Sequence, residues 1–500
     1  MQTIAESSRP LAVSFDNSYA HLPQRFYARL DPTPTAQPRL IKFNSALAKE
    51  LGLDVSGVSA DTLAQLFSGN LRLEGADPLA MAYAGHQFGH FVPTLGDGRA
   101  ILLGEVLDVA GVRRDIQLKG SGRTPYSRDG DGRAALGPVL REYVVSEAMH
   151  ALGVPTTRAL AIVATGESVY RERRLPGAIL TRVSASHVRV GTFQFFAARG
   201  DMEAVKQLAD YVIDRHYPDI REAEARYLAL FRAVAQRQAR LMACWMHVGF
   251  IHGVMNTDNT AISGETIDFG PCAFMDVYDP AAVFSSIDTA GRYAYANQPH
   301  IAHWNLARFA ETLLPLLNPI PERAVELATE ELSAFWPAFE QHWLSGMRRK
   351  LGLFTAEDED AQLIQGLLEA MHRQQADFTL TFRKLCDAAE GQQFDAGVRA
   401  LFSNVAAYDE WAMTWRSRLN RESLPASERA ESMRLANPAF IPRNHRLEQA
   451  IQAAVEHADF TLFADLLQIL SRPYEDQAGF EAYATAPRPS DRVLQTFCGT

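Results

Sequence analysis

A chain of 500 residues that is 47% hydrophobic can bury a large core, and this length predicts two or three domains or layers around an enzyme-sized body. A net charge of −10 and an isoelectric point near 5.8 argue against nucleic acid or an anionic membrane as partner, because both demand a positive surface field. The chain has no apolar run of membrane-spanning length, no basic-then-apolar leader and no C-x-x-C pair among its four cysteines, which predicts a soluble cytoplasmic protein, most simply a monomer.

Residues 1–80 mix short strands and helices with proline-rich connections such as "DPTPTAQP", and read as an extension packed on the core. Over 81–200 the pattern becomes strand, turn, strand. The Gly96-Asp97-Gly98 turn precedes the apolar run Ala100 to Val106, and "RRDIQLKG" supplies the next strand of an antiparallel sheet. "LGPVLREYVVSEAMHALGVP" carries apolar Val139, Leu140, Tyr143, Val144 and Ala148 at helical spacing, with Pro138 near its start and Gly153 closing it. Two strand-like stretches follow, "ALAIVATGESVY" and "GAILTRVSAS", and then a long helical region from about Asp201 to Val248. Residues 201–330 read as a helical lobe that holds the chemical motifs, and 331–500 as a helical region ending in a cysteine-containing tail. The fold class expected is α+β: a sheet-bearing lobe followed by a helical one, the order of a protein kinase.

The motif "HGVMNTDNTAI", followed by "IDFGP", sharpens that comparison. Kinases carry a His and an Asp base, an Asn five residues beyond the Asp, and then D-F-G, whose Asp holds metal. His252, Gly253, Asn259, Asp268, Phe269 and Gly270 fit this frame, but Val254 stands in the base slot. Asn259 and Asp268 supply the amide and carboxylate oxygens that Mg²⁺ or Mn²⁺ accepts beside phosphate. Lys119 ends its strand where a kinase lysine sits, and Glu142 on the next helix is its natural partner, with Glu147 as the alternative.

Only "GDGRAILLG" stands where a kinase has its glycine-rich loop, so that Gly96 and Gly98 are kept and Arg99 is presented. An additional loop, "GSGRTPYSRDGDGRAALG", contains Asp131 and Gly132, where glycine permits close backbone approach to a nucleotide. Arg182 and Arg189 add guanidiniums for phosphate, which with Arg99 and Lys119 make a local cationic pocket on an acidic protein. His86 and His90 in "HQFGH" have half of a metal-site spacing but lack the glutamate of H-E-x-x-H, and read as packing or loop residues.

Several segments together resemble the selenoprotein O family, protein adenylyltransferases on a kinase fold: "YAGHQFGHFVPTLGDGRA", "QLKGSGRTPYSRDGDGRAALGPVLREYVVSEAMHALGVPTTRAL", "TRVSASHVRVGTFQFF", "GFIHGVMNTDNTAISGETIDFGPCAFMD" and "NPAFIPRNHRLEQAI". The resemblance implies ATP bound in an inverted orientation, with AMP passed to Ser, Thr or Tyr hydroxyls of proteins. It implies nucleotide contacts from Gly96, Gly98, Arg99, Lys119, Asp131, Gly132, Arg182 and Arg189, a helix carboxylate at Glu142, and metal ligands at Asn259 and Asp268. Asp258 takes the place of the proton acceptor. The resemblance also implies a redox disulfide between Cys272, directly after D-F-G, and Cys498 in the terminal "CGT". Transfer of UMP from UTP, an inactive nucleotide-binding scaffold and a small-molecule phosphotransferase are the competing expectations.

Overall fold

The computed structural model describes residues 11–497. The strands run in chain order β1 (Tyr27–Arg29), β2 (Arg39–Phe43), β3 (Leu79–Met81), β4 (Gly85–Gln87), β5 (His90–Val92), β6 (Ala100–Leu107), β7 (Arg113–Lys119), β8 (Ala134–Ala135), β9 (Arg158–Tyr170), β10 (Arg174–Ser184), β11 (Phe250–Ile251) and β12 (Ala273–Phe274). Eight of them form an antiparallel sheet in the order β1-β3-β6-β7-β10-β9-β2, with β8 paired to β10. Both edge strands come from the first 80 residues. The β4 and β5 strands form a separate hairpin, and β11 pairs with β12.

Side chains alternate across a strand, so a strand covered on both faces must be apolar nearly throughout. The central strands meet this condition. Leu102 and Leu103 on β6, Ile162 and Val163 on β9, and Ile179 and Leu180 on β10 are all buried, and each neighbouring pair divides between two cores. One core is closed by the helices α1 (Ser45–Glu50) and α2 (Ala60–Phe67). The other is closed by α3 (Leu136–Ala151), α4 (Val190–Ala197), α5 (Met202–His216) and α6 (Arg226–Val248). A third core lies among the helices near the C-terminus, around Trp411, Trp415 and Phe382. The chain reaches it through α7 (Gln298–Leu317), α8 (Pro321–Ser333) and α9 (Phe335–Lys350).

The helical stretch expected over 201–248 is two helices, not one. Tyr217 leaves the helical region at φ −139° immediately before Pro218, which lacks an N–H and disfavours helix in its predecessor. The second of these helices, α6, ends at Gly249 with φ 70°, a left-handed C-terminal stop that turns the chain into β11 and the segment carrying His252.

Register places the site. Gln117 and Lys119 share one face of β7, and β10 sets Arg182 opposite Gln117 and Leu180 opposite Lys119. The α3 helix crosses the same face and carries Glu142 inward.

Candidate active site

A cavity of about 800 Å³ opens between the sheet, α3 and the segment 252–271. At its centre Lys119 Nζ donates to Glu142 Oε2 at 2.6 Å and to Asp268 Oδ1 at 2.9 Å. Arg182 donates to Asp268 Oδ1 at 2.6 Å, to Glu142 Oε1 at 3.2 Å and to Gln117 Oε1 at 2.6 Å. Arg189 donates to Asp268 Oδ2 at 2.8 Å and to the Asp258 carbonyl at 2.6 Å, and its guanidinium lies 4.7 Å from the Tyr83 ring centre. Burial by itself would raise the Asp268 carboxyl, but Lys119, Arg182 and Arg189 hold it well below the usual carboxylate range. Asp268 also has φ 64°, a conformation that costs a non-glycine residue about 1–2 kcal/mol and that three cations on one carboxylate can enforce.

The choice between Glu142 and Glu147 is made by the helix face. Glu147 points away from the cavity, where Arg158 Nε and Nη2, the Ala159 amide and the Asn44 amide each lie 2.9 Å from its carboxylate.

Asp258 lies in a short 3-10 turn, Thr257–Asn259, and is 7% exposed. Its Oδ2 accepts from Gln87 Nε2 at 3.2 Å, while its buried Oδ1 has no partner among the described residues. Burial, opposed by Arg189, pushes its carboxyl up to about 6. The β4–β5 hairpin seals this turn: the His86 amide donates to Thr257 Oγ1 at 2.7 Å and the Phe88 amide to Asn256 Oδ1 at 3.0 Å. Only glycine fits at position 85, because a Cβ there would lie 2.5 Å from Asp258 Oδ1. Val254 lines the cavity as a buried apolar wall, and His252 is structural, with Nε2 on the Ile267 carbonyl at 2.8 Å and its ring stacked on Trp245.

The arginine-rich loop is tied down at several points. Thr124 Oγ1 donates to the Asp97 carbonyl at 2.7 Å, Ser127 Oγ donates to the Gly98 carbonyl, and Arg133 Nη1 reaches the Thr33 carbonyl at 3.1 Å. Gly96 and Gly98 have a packing reason as well as a place on the wall. A Cβ at Gly96 would lie 2.3 Å from the Tyr126 ring, and one at Gly98 would lie 2.8 Å from the Tyr126 carbonyl. The Asp131 carboxylate is gripped by Arg171 at 2.9 and 3.1 Å. Asp131, Gly132 and Arg99 line the same cavity.

A profile of the family described as protein adenylyltransferase SelO matches residues 10–471. The chain belongs to the SelO family. Among SelO relatives, the protein nucleotidyltransferase YdiU of Rhizobium meliloti (strain 1021) is 67% identical over 489 residues, covering 98% of this chain and 100% of the relative. YdiU of Rhizobium etli (strain ATCC 51251 / DSM 11541 / JCM 21823 / NBRC 15573 / CFN 42) is 63% identical over 501 residues, covering 100% of both. YdiU of Bradyrhizobium sp. (strain BTAi1 / ATCC BAA-1182) is 63% identical, covering 97% and 99%. This SelO chain is therefore an enzyme of nucleotidyl transfer, and it takes a nucleotide substrate.

Of the residues expected in the SelO site, all the proposed nucleotide contacts, Asp258 and Asn259 line one cavity. The Asn259 amide nitrogen donates to the Val254 carbonyl at 2.9 Å, which leaves its Oδ1 as the atom for a ligand. With an Asp268 carboxylate this makes two hard oxygen donors, a set that suits Mg²⁺ or Mn²⁺ completed by phosphate and water. Among the described residues no group of three His, Cys, Asp or Glu side chains forms a closed metal cage. Cys272 is buried, and Cys498 lies outside the described residues. His86 and His90 face each other's strands in the hairpin; His86 Nδ1 meets Gln194 Nε2 at 2.9 Å, a packing role.

Sequence reasoning missed four residues of the site. Asp97, buried and pushed up to about 6 by that burial, accepts from the Met81 amide and Gln117 Nε2, each at 3.1 Å, and so continues the chain Asp97–Gln117–Arg182. Two-residue periodicity would have paired Gln117 with Lys119, and Asp97 sits between two glycines already singled out. Tyr83 and Gln87 carry no such signal; only the folded hairpin brings them to Arg189 and Asp258.

Proposed function

We propose that this SelO member transfers AMP from ATP to Ser, Thr or Tyr hydroxyls of proteins, on a kinase-like two-lobed frame that holds the nucleotide inverted. The observation that carries the reading is the displacement of the carboxylate: Val254 fills the kinase base slot, and Asp258, four residues on, presents a buried Oδ1 with no partner among the described residues. A base there serves an acceptor whose target phosphorus is not where a kinase holds the γ-phosphorus. The acceptor oxygen bonds to the α-phosphorus, the bond from that phosphorus to the bridging oxygen breaks, and pyrophosphate leaves with the electron pair. The hydroxyl proton passes to Asp258 Oδ1.

Lys119, Arg182 and Arg189 meet the phosphate charge, and Glu142 keeps Lys119 and Arg182 in position. Asp268 and Asn259 Oδ1 are the residues that would hold Mg²⁺ or Mn²⁺, which screens repulsion between phosphates and acceptor when bound. The sheet-bearing part at 81–200, the helical part at 201–330, the extension and the C-terminal helical region are the divisions that this frame implies.

ATP labelled at the α or the γ position tests the proposal. Label from the α position on protein, with none from γ, is the expected result. Label from γ on a small molecule would establish a phosphotransferase, and tight binding without transfer would establish a scaffold. UTP in the same assay decides between AMP and UMP.

We also propose that a small disulfide such as oxidised glutathione joins Cys272 to Cys498 by thiol–disulfide exchange, the S–S bond forming as the small disulfide takes up the two electrons and two protons and leaves as two thiols. The tail is already docked beside Cys272: the Thr496 amide donates to the Phe284 carbonyl at 2.7 Å, and Thr496 Oγ1 donates to the Pro271 carbonyl. Mass spectrometry of the oxidised, unreduced protein should show the cross-linked peptide pair; finding both thiols alkylatable would overturn it.

A further inference from the structure

A second cavity, of about 490 Å³, shares no lining residue with the first. It lies where the end of α3, the helices α6 and α9 and the helix Ala426–Arg434 meet. Beside Cys244 and Tyr474 its titratable lining is basic: Arg240 and His247 come from α6, and His342, Arg349 and Lys350 from α9, with the Lys350 ammonium 4.4 Å from the Phe382 ring centre. No carboxylate lines it, and neither arginine has an ion-pair partner among the described residues. The charges converge on one another. Burial raises the Cys244 thiol while Arg240 and Arg349 act against it, and burial, with Lys350 and Arg349 beside it, pushes His247 down.

Like charges gathered in a concavity repel, and an acidic chain with 59 Asp and Glu residues has placed none of them on this wall. An anion relieves that repulsion. The donors are of the kind that suits oxyanions: two guanidiniums and the hydroxyls of Ser345 and Ser432. His247 Nε2 lies 3.0 Å from the Trp343 carbonyl and so donates to it, while burial pushes the imidazole down to about 4 and keeps it neutral near pH 7, so the cations this wall offers a ligand are Arg240 and Arg349. Gly346 lets that imidazole pack directly against α9, since a Cβ there would lie 2.0 Å from His247 Cε1.

We propose that this cavity is a second, phosphate-class anion site, taking inorganic phosphate, pyrophosphate or the phosphoryl group of a small metabolite. Two of the helices that meet at it also lead to the active site: α6 runs through Gly249 into the His252 segment, and α3 carries Glu142. An occupant is therefore placed to stiffen both.

Cys244, half-buried on the cavity wall, reports occupancy locally, whereas Cys272 and Cys386 are buried. The test is the rate of Cys244 alkylation by iodoacetamide, read by peptide-resolved mass spectrometry at constant ionic strength with phosphate, pyrophosphate or AMP. At about ten times Kd only about a tenth of sites stay open, so alkylation should slow about tenfold. The ratio with and without anion should fall to near one in Arg240→Ala/Arg349→Ala, exposed positions at which folding survives, and should persist in Lys119→Ala. Which of the three probes protects identifies the source of the phosphoryl group. Equal rates with and without all three, or undiminished protection in the double variant, would overturn the site.

Discussion

Replacing Asp258 by Asn removes the charge and the basic oxygen while keeping the shape that Gln87 and the β4–β5 hairpin pack against. A positioned base contributes about 10²–10⁴ in rate, so transfer of α-label should fall by about that factor. Nucleotide binding should change little, because the only hydrogen bond from Asp258 to the cationic cluster runs through its backbone carbonyl, which accepts from Arg189 and which Asn keeps. Stability at pH 7 should rise, by roughly 3 kcal/mol at most, because burial raises the Asp258 carboxyl from 3.8 to about 6 and Asn relieves the folded state of that buried charge. The assays are single-turnover incorporation of α-labelled ATP, nucleotide affinity by calorimetry, and thermal unfolding. A variant that retained transfer to within about threefold of the parent would refute the base assignment, since that loss lies far below what a base supplies.

Gly85→Ala forces a Cβ to 2.5 Å from Asp258 Oδ1, and a displacement of that size should lower transfer about 10²-fold with nucleotide binding retained. Glu142→Gln should lower transfer by about 10²-fold by loosening Lys119 and Arg182. Glu147→Gln should leave transfer intact and lower unfolding stability by about 1–3 kcal/mol through Arg158. His187 is buried with Nδ1 2.8 Å from Asp115 Oδ2, and burial pushes it down to about 4 from 6.5. It stays neutral because that burial, with Arg182 and Arg189 nearby, outweighs the pull of Asp115, which is held at about 2 and also pairs with Arg215. Unfolded His187 binds its proton near 6.5 and the folded one only near 4, so stability falls as pH drops through that window, by roughly 3 kcal/mol at most. Denaturant titrations at pH 7, 5.5 and 4 should show this slope, and His187→Asn should flatten it; an unchanged slope would assign the acid sensitivity to other groups.

Local sequence carried much of this protein. Apolar runs specified strands buried on both faces, the Gly96-Asp97-Gly98 turn and "IQLK" specified β6 and β7, and H-G…N…D-F-G ordered the catalytic segment, because each of these depends on neighbours within a few residues. The break at Pro218 was equally legible in principle, since proline acts on its own backbone. What only the tertiary structure decided were matters of side-chain direction over long separations. Glu142 and Glu147 are near neighbours on one helix, and the sheet register beneath α3 determines which of them meets Lys119. The burial of Asp258 depends on a hairpin some 170 residues earlier, packed by Gln87 and permitted by Gly85, and no periodicity connects the two. The convergence of Arg240 and Arg349 is of the same kind: they come from two helices far apart in the chain and meet at one cavity in the fold, because crossing helices decide which faces confront each other.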